Sequence, residues 1–183
     1  MDRTTRTGDS RTGGPDARTL GSPFQFVDDD GRPITVQESG PDDCDALVAM
    51  YDAFDPADRA QGLPPSTTAR IRSWLGDILG DGHHLAVSHD GGTVGHACLL
   101  PAGERGHELA IFVAGTHQHA GIGTRLLDCL LGDAAERGVD RIWLTVHRDN
   151  VPARRLYESA GFERVRHPDR DPLAGDLLMA RAL

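Results

Sequence analysis

The sequence predicts an α/β fold in which a mixed, largely antiparallel sheet carries one parallel βαβ unit and helices on both faces. Three observations predict it. Leu109 to Val113 is a short apolar run of β-prone residues, long enough for a buried strand and too short for a helix. From Ile122 onward the apolar residues Ile122, Leu126, Leu127, Leu130, Leu131 and Ala134 recur at helical spacing. Arg141 to His147, Arg-Ile-Trp-Leu-Thr-Val-His, returns to strand character after a helix stop at Gly138, so strand, helix and parallel strand follow one another.

The other elements follow in chain order. Residues 1–22 are rich in Thr, Gly, Arg and Asp, with no apolar periodicity, and are expected to form a disordered tail. Residues 23–183 are long enough for one domain with a real core. Phe24 to Val27 reads as a short strand that turns at Asp30-Gly31 into a strand from Ile34 to Gln37. A helix capped by Asp42 or Asp43 then carries Leu47, Val48, Tyr51 and Phe54 on one face and ends near Asp55-Pro56. After the loop from Asp55 to Pro65, a second helix begins around Ser66 or Thr67, with Ile71, Trp74, Leu75 and Ile78 as its apolar stripe. Leu85 to Ser88 and Val94 to Leu100 form a hairpin around Asp90-Gly91-Gly92. Beyond the βαβ unit, Asn150 to Phe162 reads as a short helix ended by Gly161. Phe162 to Val165 and Asp176 to Ala182 complete the sheet, and there is no internal repeat.

Chemistry concentrates between the central strand and its helix, in Ala114 to Gly123, Ala-Gly-Thr-His-Gln-His-Ala-Gly-Ile-Gly. The first N–H groups of a helix lack intrahelical partners and lie at the positive end of its dipole. An anion such as a pyrophosphate fits there, glycine lets it approach the backbone closely, and Thr124 adds a hydroxyl. No Lys-Ser or Lys-Thr follows, so this is not the lysine-containing phosphate loop. Gln118, Gly121 and Gly123 give Q-x-x-G-x-G, which is not the dinucleotide fingerprint G-x-G-x-x-G. Taken alone, the loop is also compatible with a tight connection between strand and helix.

A second motif narrows this. Asn150-Val-Pro-Ala153-Arg-Arg-Leu156-Tyr157-Glu-Ser-Ala-Gly161-Phe162 follows the strand Arg141 to His147. Together the two motifs resemble the GNAT superfamily of N-acetyltransferases, in family order, and the matching pattern runs from about Ile34 to the C-terminus. The resemblance implies the acyl-CoA N-acyltransferase fold, in a single-domain member, with the sheet splayed between the strands carrying Val113 and Trp143. It implies acetyl-CoA as acyl donor, with no metal. Backbone groups of Ile111 and Val113 would pair with the pantetheine arm. Gln118, His119, Ala120, Gly121, Ile122, Gly123 and Thr124 would hold the pyrophosphate, Asn150 and Ala153 would lie along the pantetheine, and Tyr157 would lie near the thioester sulfur.

The activity implied is transfer of an acetyl group to a primary amine by direct attack. Glu108 stands where many family members carry a catalytic glutamate and is the candidate base, with Glu104 and His107 as neighbours able to substitute. Tyr157 is the candidate donor to the leaving sulfur. Each has a plainer alternative, a solvated strand-end carboxylate and a ring packed on the cofactor. The loop from Asp55 to Pro65 resembles the Ser-Pro-Glu-Ser-Arg type of segment found in single-domain protein lysine acetyltransferases, although a common helix connection would look the same. The acceptor is therefore open between a small-molecule amine and a protein amine. A non-catalytic acetyl-CoA sensor is the alternative of a different class. A nucleotide-binding protein using the same loop is a third, disfavoured because no metal-ligating Asp or phosphate-binding Lys stands in register.

Composition limits the partners. The formal net charge is -9, all 19 basic residues are arginine, and aspartate outnumbers glutamate. Such a surface argues against a nucleic-acid partner. It is read here as adaptation to a salty cytoplasm, with genomic base composition as the competing explanation for the missing lysine. Hydrophobic residues make up 38% of the chain and no apolar run is long enough to cross a bilayer, so no membrane partner and a cytoplasmic location are expected. Cys44, Cys98 and Cys129 form no C-x-x-C and are expected to be reduced and buried. His83-His84 and His117-x-His119 lack the companion ligands of a closed metal site. Surface strands and the C-terminal strand offer edges to a second copy, so a homodimer is an expected assembly.

Overall fold

Eight strands form one sheet in a computed structural model of the chain, described over residues 23–55, 64–103, 106–166 and 175–183. The tail expected over residues 1–22 lies outside the described residues, as do residues 56–63 of the loop between the first two helices. β1 (Phe24–Val27) and β2 (Pro33–Glu38) pair antiparallel. Their turn is built on Asp28, whose buried carboxylate accepts the N–H groups of Asp30 (3.1 Å) and Arg32 (2.8 Å) and the Arg32 Nε (2.7 Å). Burial opposes the charge, but the bonds from Arg32 outweigh it and hold this carboxyl below its ordinary range.

α1 (Cys44–Asp52) follows a 3-10 turn, Pro41–Asp43. Asp43 occupies the N-cap position expected of it, yet its carboxylate accepts the Gly40 N–H (2.9 Å) and so closes the 3-10 turn instead of capping the α-helix. α2 (Thr68–Ile78) is capped by Thr67, which accepts the Arg70 N–H (3.4 Å). β3 (His83–His89) and β4 (Gly92–Pro101) are joined at Asp90 (φ 49°) and Gly91 (φ 78°). Two central residues at positive φ are what a two-residue hairpin needs for its twist to match that of the strands.

The chain then runs through β5 (His107–Val113), α3 (Ile122–Glu136), β6 (Arg141–His147), α4 (Val151–Ser159), β7 (Glu163–Arg164) and β8 (Asp176–Ala182). The strand order is β1-β2-β3-β4-β5-β6-β8-β7, and every pair is antiparallel except β5 with β6. The strand expected over Phe162 to Val165 shortens to two residues, because Phe162 turns inward and packs against the Tyr157 ring at 5.9 Å. The C-terminal strand is not the open edge expected of it. β8 lies inside the sheet, paired with β6 along its length and with β7 at Met179 and Ala180.

Side-chain alternation divides the sheet into two cores. Ile34, Val36, Leu85, Val87, Ala97, Leu99, Leu109, Ile142, Leu144 and Val146 face α3 and α4. On the opposite face, α1 and α2 bury Leu47, Val48, Tyr51, Phe54, Ile71 and Leu75 against Phe112 and Ala114. A polar seam runs through this second core. The Tyr51 hydroxyl lies 2.6 Å from His96 Nδ1, His96 Nε2 lies 3.1 Å from His84 Nδ1, and His84 Nε2 lies 3.0 and 2.8 Å from the carbonyls of Ile78 and Asp81. Carbonyls only accept, so His84 Nε2 carries its proton; His96 must then donate to His84, and Tyr51 to His96. Of the three cysteines Cys98 is buried as expected, whereas Cys44 and Cys129 are only partly covered. No helix among the described residues is long and apolar enough to cross a membrane.

Candidate active site

The site begins where two strands part. β5 and β6 pair in parallel at only two positions, His107 with Ile142 and Glu108 with Trp143. From Leu109 to Val113, β5 remains paired with β4 alone, so its other edge opens into a wedge below Glu108. Beyond Val113 the chain makes a 3-10 turn, Gly115–His117, and then the glycine loop. Gln118 folds back, its Nε2 donating to the Val113 carbonyl (3.0 Å). Gly121 is the N-cap of α3 at φ +79°, a left-handed conformation that glycine adopts without strain. His119 holds φ +62° with a side chain attached.

The hairpin β1 to β2 grips this loop from outside. The Asp29 N–H donates to the Ala120 carbonyl (3.2 Å), and Arg32 Nη1 donates to the Thr116 carbonyl (2.8 Å). A Cβ on Gly121 would lie 3.1 Å from the Asp29 carboxylate, so that side chain stands directly beside the helix N-terminus. Nothing local in Asp-Asp-Asp-Gly-Arg signals this contact, which the sequence reading took only as a turn. α4 closes the wedge from the other side. Its N-cap Asn150 accepts the Ala153 N–H (3.1 Å), while Leu156 lies 3.4 Å from where a Cβ on Gly123 would stand.

Between these walls lies a cleft of about 270 Å³. Ten of the expected cofactor residues line it: Ile111 and Val113 from the strand, Gln118, His119, Gly121, Gly123 and Thr124 from the loop and helix start, and Asn150, Ala153 and Tyr157 from α4. Ala120 and Ile122 do not. Both side chains are buried, so only their backbone groups are available there. Phe54, Phe112, His117, Pro152 and Leu156 complete the lining and were missed in the sequence. Phe54 was read only as the apolar stripe of its helix, and His117 only as half of an unsupported metal pair.

Tyr157 is buried, and burial pushes its hydroxyl up to about 12, so it remains protonated across the physiological range. Among the described residues it has no hydrogen-bond partner. Glu108 is not part of the cleft lining. It lies at the vertex of the wedge, opposite Leu100 on β4 and Trp143 on β6, close enough to Cys98 for its charge, after burial, to raise that thiol to about 12. His107 is not a substitute for it. Alternation turns that imidazole to the other face, where it lines a separate cavity with His83, Arg137 and Arg141. Glu104 lies outside the described residues. The adjacent His83 and His84 also face opposite ways, His83 toward Asp133 (3.3 Å) and His84 toward His96, so they do not act as a pair.

Comparison with known proteins agrees with this architecture. Residues 47–162 match the model of the acetyltransferase (GNAT) family. A mycothiol acetyltransferase from Thermobifida fusca is 34% identical over 137 residues, 73% of this chain and 41% of that protein, so the chain spans about two fifths of that relative's length. Among solved structures, the GNAT domain of an S. lividans protein superposes with a TM-score of 0.74 at 21% identity, covering 88% of this chain and 97% of that one. A Salmonella typhimurium protein solved with its cofactor acetyl-CoA gives a TM-score of 0.63 at 20% identity, covering 81% of this chain and 93% of the other.

Proposed function

The chain belongs to the acetyltransferase (GNAT) family, and from that membership we propose that it moves an acetyl group from acetyl-CoA to a primary amine by direct attack in a ternary complex. The observation that carries this reading is the wedge: β5 has a free backbone edge from Leu109 to Val113, and that edge runs straight to a glycine-bounded helix N-terminus. An extended amide-bearing arm ending in a pyrophosphate fits such a surface. The acetyl-CoA bound to the Salmonella protein of similar fold supports the same ligand.

Bound acetyl-CoA would supply the acetyl group as an activated thioester. The protein's own contributions are positional and protonic. Main-chain donors at Gly121, Ile122, Gly123 and Thr124, at the start of α3, would hold the pyrophosphate, with the helix dipole favouring its charge. Ile111 and Val113 offer backbone groups along the free edge. The Val113 carbonyl already accepts from Gln118 but has a second lone pair. Tyr157, protonated and without a hydrogen-bond partner among the described residues, would donate to the sulfur. Glu108 accepts the proton that the amine gives up. The acceptor is a small-molecule amine or a protein amine, the site lies in the cytoplasm, and a homodimer would have to use a surface other than the long edge of β8.

Calorimetric titration of acetyl-CoA and CoA into the wild type and a Gly121→Trp, Gly123→Trp double variant tests this. The wild type is expected to bind both ligands and the folded variant neither. Absence of binding by folded wild type would overturn the reading. Release of free thiol with a panel of amines separates a transferase from a protein that only senses acetyl-CoA, since a sensor would bind and release none.

A further inference from the structure

Among the described residues, those lining the cleft include no arginine, lysine, aspartate or glutamate, and their titratable groups are His117, His119 and Tyr157. The described lining of a cleft meant for a polyanion therefore carries no permanent positive charge. Arg32, which grips the loop through the Thr116 carbonyl (2.8 Å), is also engaged by Asp28 (2.7 Å) and Asp30 (2.9 Å). The Asp29 carboxylate beside Gly121 adds charge of the wrong sign. We infer that His117, backed by His89, supplies the compensating positive charge of this site: it takes up a proton when the pyrophosphate of CoA arrives and acts on it through space, its two N–H groups staying on His89 and Thr116. The inference rests on the acetyl-CoA reading and adds to it a charged residue.

The local geometry is prepared for that proton. His117 Nε2 lies 3.1 Å from His89 Nδ1, and His117 Nδ1 lies 2.9 Å from the Thr116 hydroxyl. His89 Nε2 faces the Asp90 carboxylate at 3.6 Å. One assignment satisfies every contact with both rings neutral: His89 protonated on Nε2 toward Asp90, His117 donating from Nε2 to His89, and the Thr116 hydroxyl donating to His117 Nδ1. A second proton on His117 then enters at Nδ1, and the Thr116 hydroxyl rotates from donor to acceptor. No hydrogen bond is lost. The new cation keeps its place on the cleft wall, beside Gln118 and His119.

The surrounding charges set the direction of the effect. Without ligand, burial, then Arg32 and His89, hold His117 below its ordinary 6.5, while Asp28 and Asp30 pull the other way. His117 is therefore harder to protonate in the free protein than an exposed imidazole. Phosphate oxygens nearby favour the cation and raise it. Between the free and the bound value, binding takes up protons, so affinity falls as pH rises through that window. Below the free value the imidazole is already charged and this dependence disappears. Each unit between the two values is about tenfold in affinity.

The test is calorimetric titration of CoA at pH 7 in two buffers of different ionisation enthalpy, which counts the protons exchanged, together with the affinity from pH 6 to 8. Wild type is expected to take up a fraction of a proton approaching one and to bind several-fold more weakly at pH 8. His117→Gln is expected to bind CoA with the uptake abolished and the pH slope flattened. The 3′-phosphate of CoA titrates on its own near pH 6, so dephospho-CoA is run alongside. Uptake that persists with dephospho-CoA and vanishes with pantetheine assigns the effect to the pyrophosphate; uptake with CoA alone would overturn that assignment. CoA binding by wild type without proton uptake would overturn the inference while leaving the acetyl-CoA reading intact. Failure of CoA to bind at all would remove both.

Discussion

Glu108 and Tyr157 divide the proposed chemistry unequally, and the pKa values say how. A lysine-like amine near 10.4 is neutral in only about 1 part in 10³ at pH 7, equivalent to roughly 4.6 kcal/mol if nothing removes its proton. A thiol near 8.5 is already a fair leaving group, so a donor at the sulfur has less to supply. Tyr157 can only donate, because burial keeps it protonated up to about 12. Glu108→Gln is therefore expected to lower kcat by about 10² or more, within the usual range for a general base, and Tyr157→Phe by about tenfold. The Glu108 deficit should narrow as pH approaches the amine's own pKa, where solvent removes the proton instead. Steady-state rates of both variants from pH 7 to 10 check this. A larger loss in the tyrosine variant, or a Glu108→Gln deficit that does not narrow with pH, would overturn the division of roles.

At the level of elements, the seam of Tyr51, His96 and His84 ties α1, β4, β3 and the end of α2 through one directed chain of hydrogen bonds. Burial, with His84 beside it, pushes His96 down to about 3. The unfolded chain takes up that proton near 6.5 and the folded chain does not, so the stability is complete above pH 6.5 and is lost as pH falls toward 3. Between pH 7.5 and 4.5, at about 1.4 kcal/mol per unit below 6.5, the loss from this group is about 3 kcal/mol. Urea midpoints at the two pH values are expected to show it. His96→Phe should be less stable at pH 7.5 by about 1–3 kcal/mol, from the unpaired Tyr51 hydroxyl and His84 nitrogen, and less sensitive to acid. An acid-insensitive wild type would show that His96 does not fold neutral. None of this seam was legible in the sequence, because strand alternation places His84 and His96 on a face without naming their partners. The glycine loop, the Asn150 helix start and the Asp90-Gly91 turn were legible, since caps, turns and periodicity act within a few residues. The grip of Arg32 on Thr116 joins residues 84 positions apart and left no local trace. Neither did the pairing of His117 with His89, which meet only because the β3 to β4 hairpin ends beside the loop.

For the molecule as a whole, the question is what a formal net charge of -9 without any lysine does to stability. Several carboxylates are locally compensated, as in the Arg32 pairs with Asp28 and Asp30 and the Arg137 pair with Asp133. The excess is not, and in dilute buffer it repels itself and disfavours the compact state. The Debye length is about 10 Å at 0.1 M salt and about 3 Å at 1 M. Repulsion between carboxylates several ångströms apart therefore keeps declining well beyond physiological ionic strength. If the composition is an adaptation to a salty cytoplasm, the thermal midpoint should rise from dilute buffer through 0.15 M and continue to rise to molar KCl. If genomic base composition alone replaced lysine with arginine, little further gain is expected past the first few tenths molar. Thermal unfolding followed across that series decides between them. A midpoint unchanged between dilute buffer and molar KCl would end the halophilic reading without touching the fold or the cleft, because the wedge between β5 and β6 and the start of α3 are built from backbone and apolar packing that salt leaves in place.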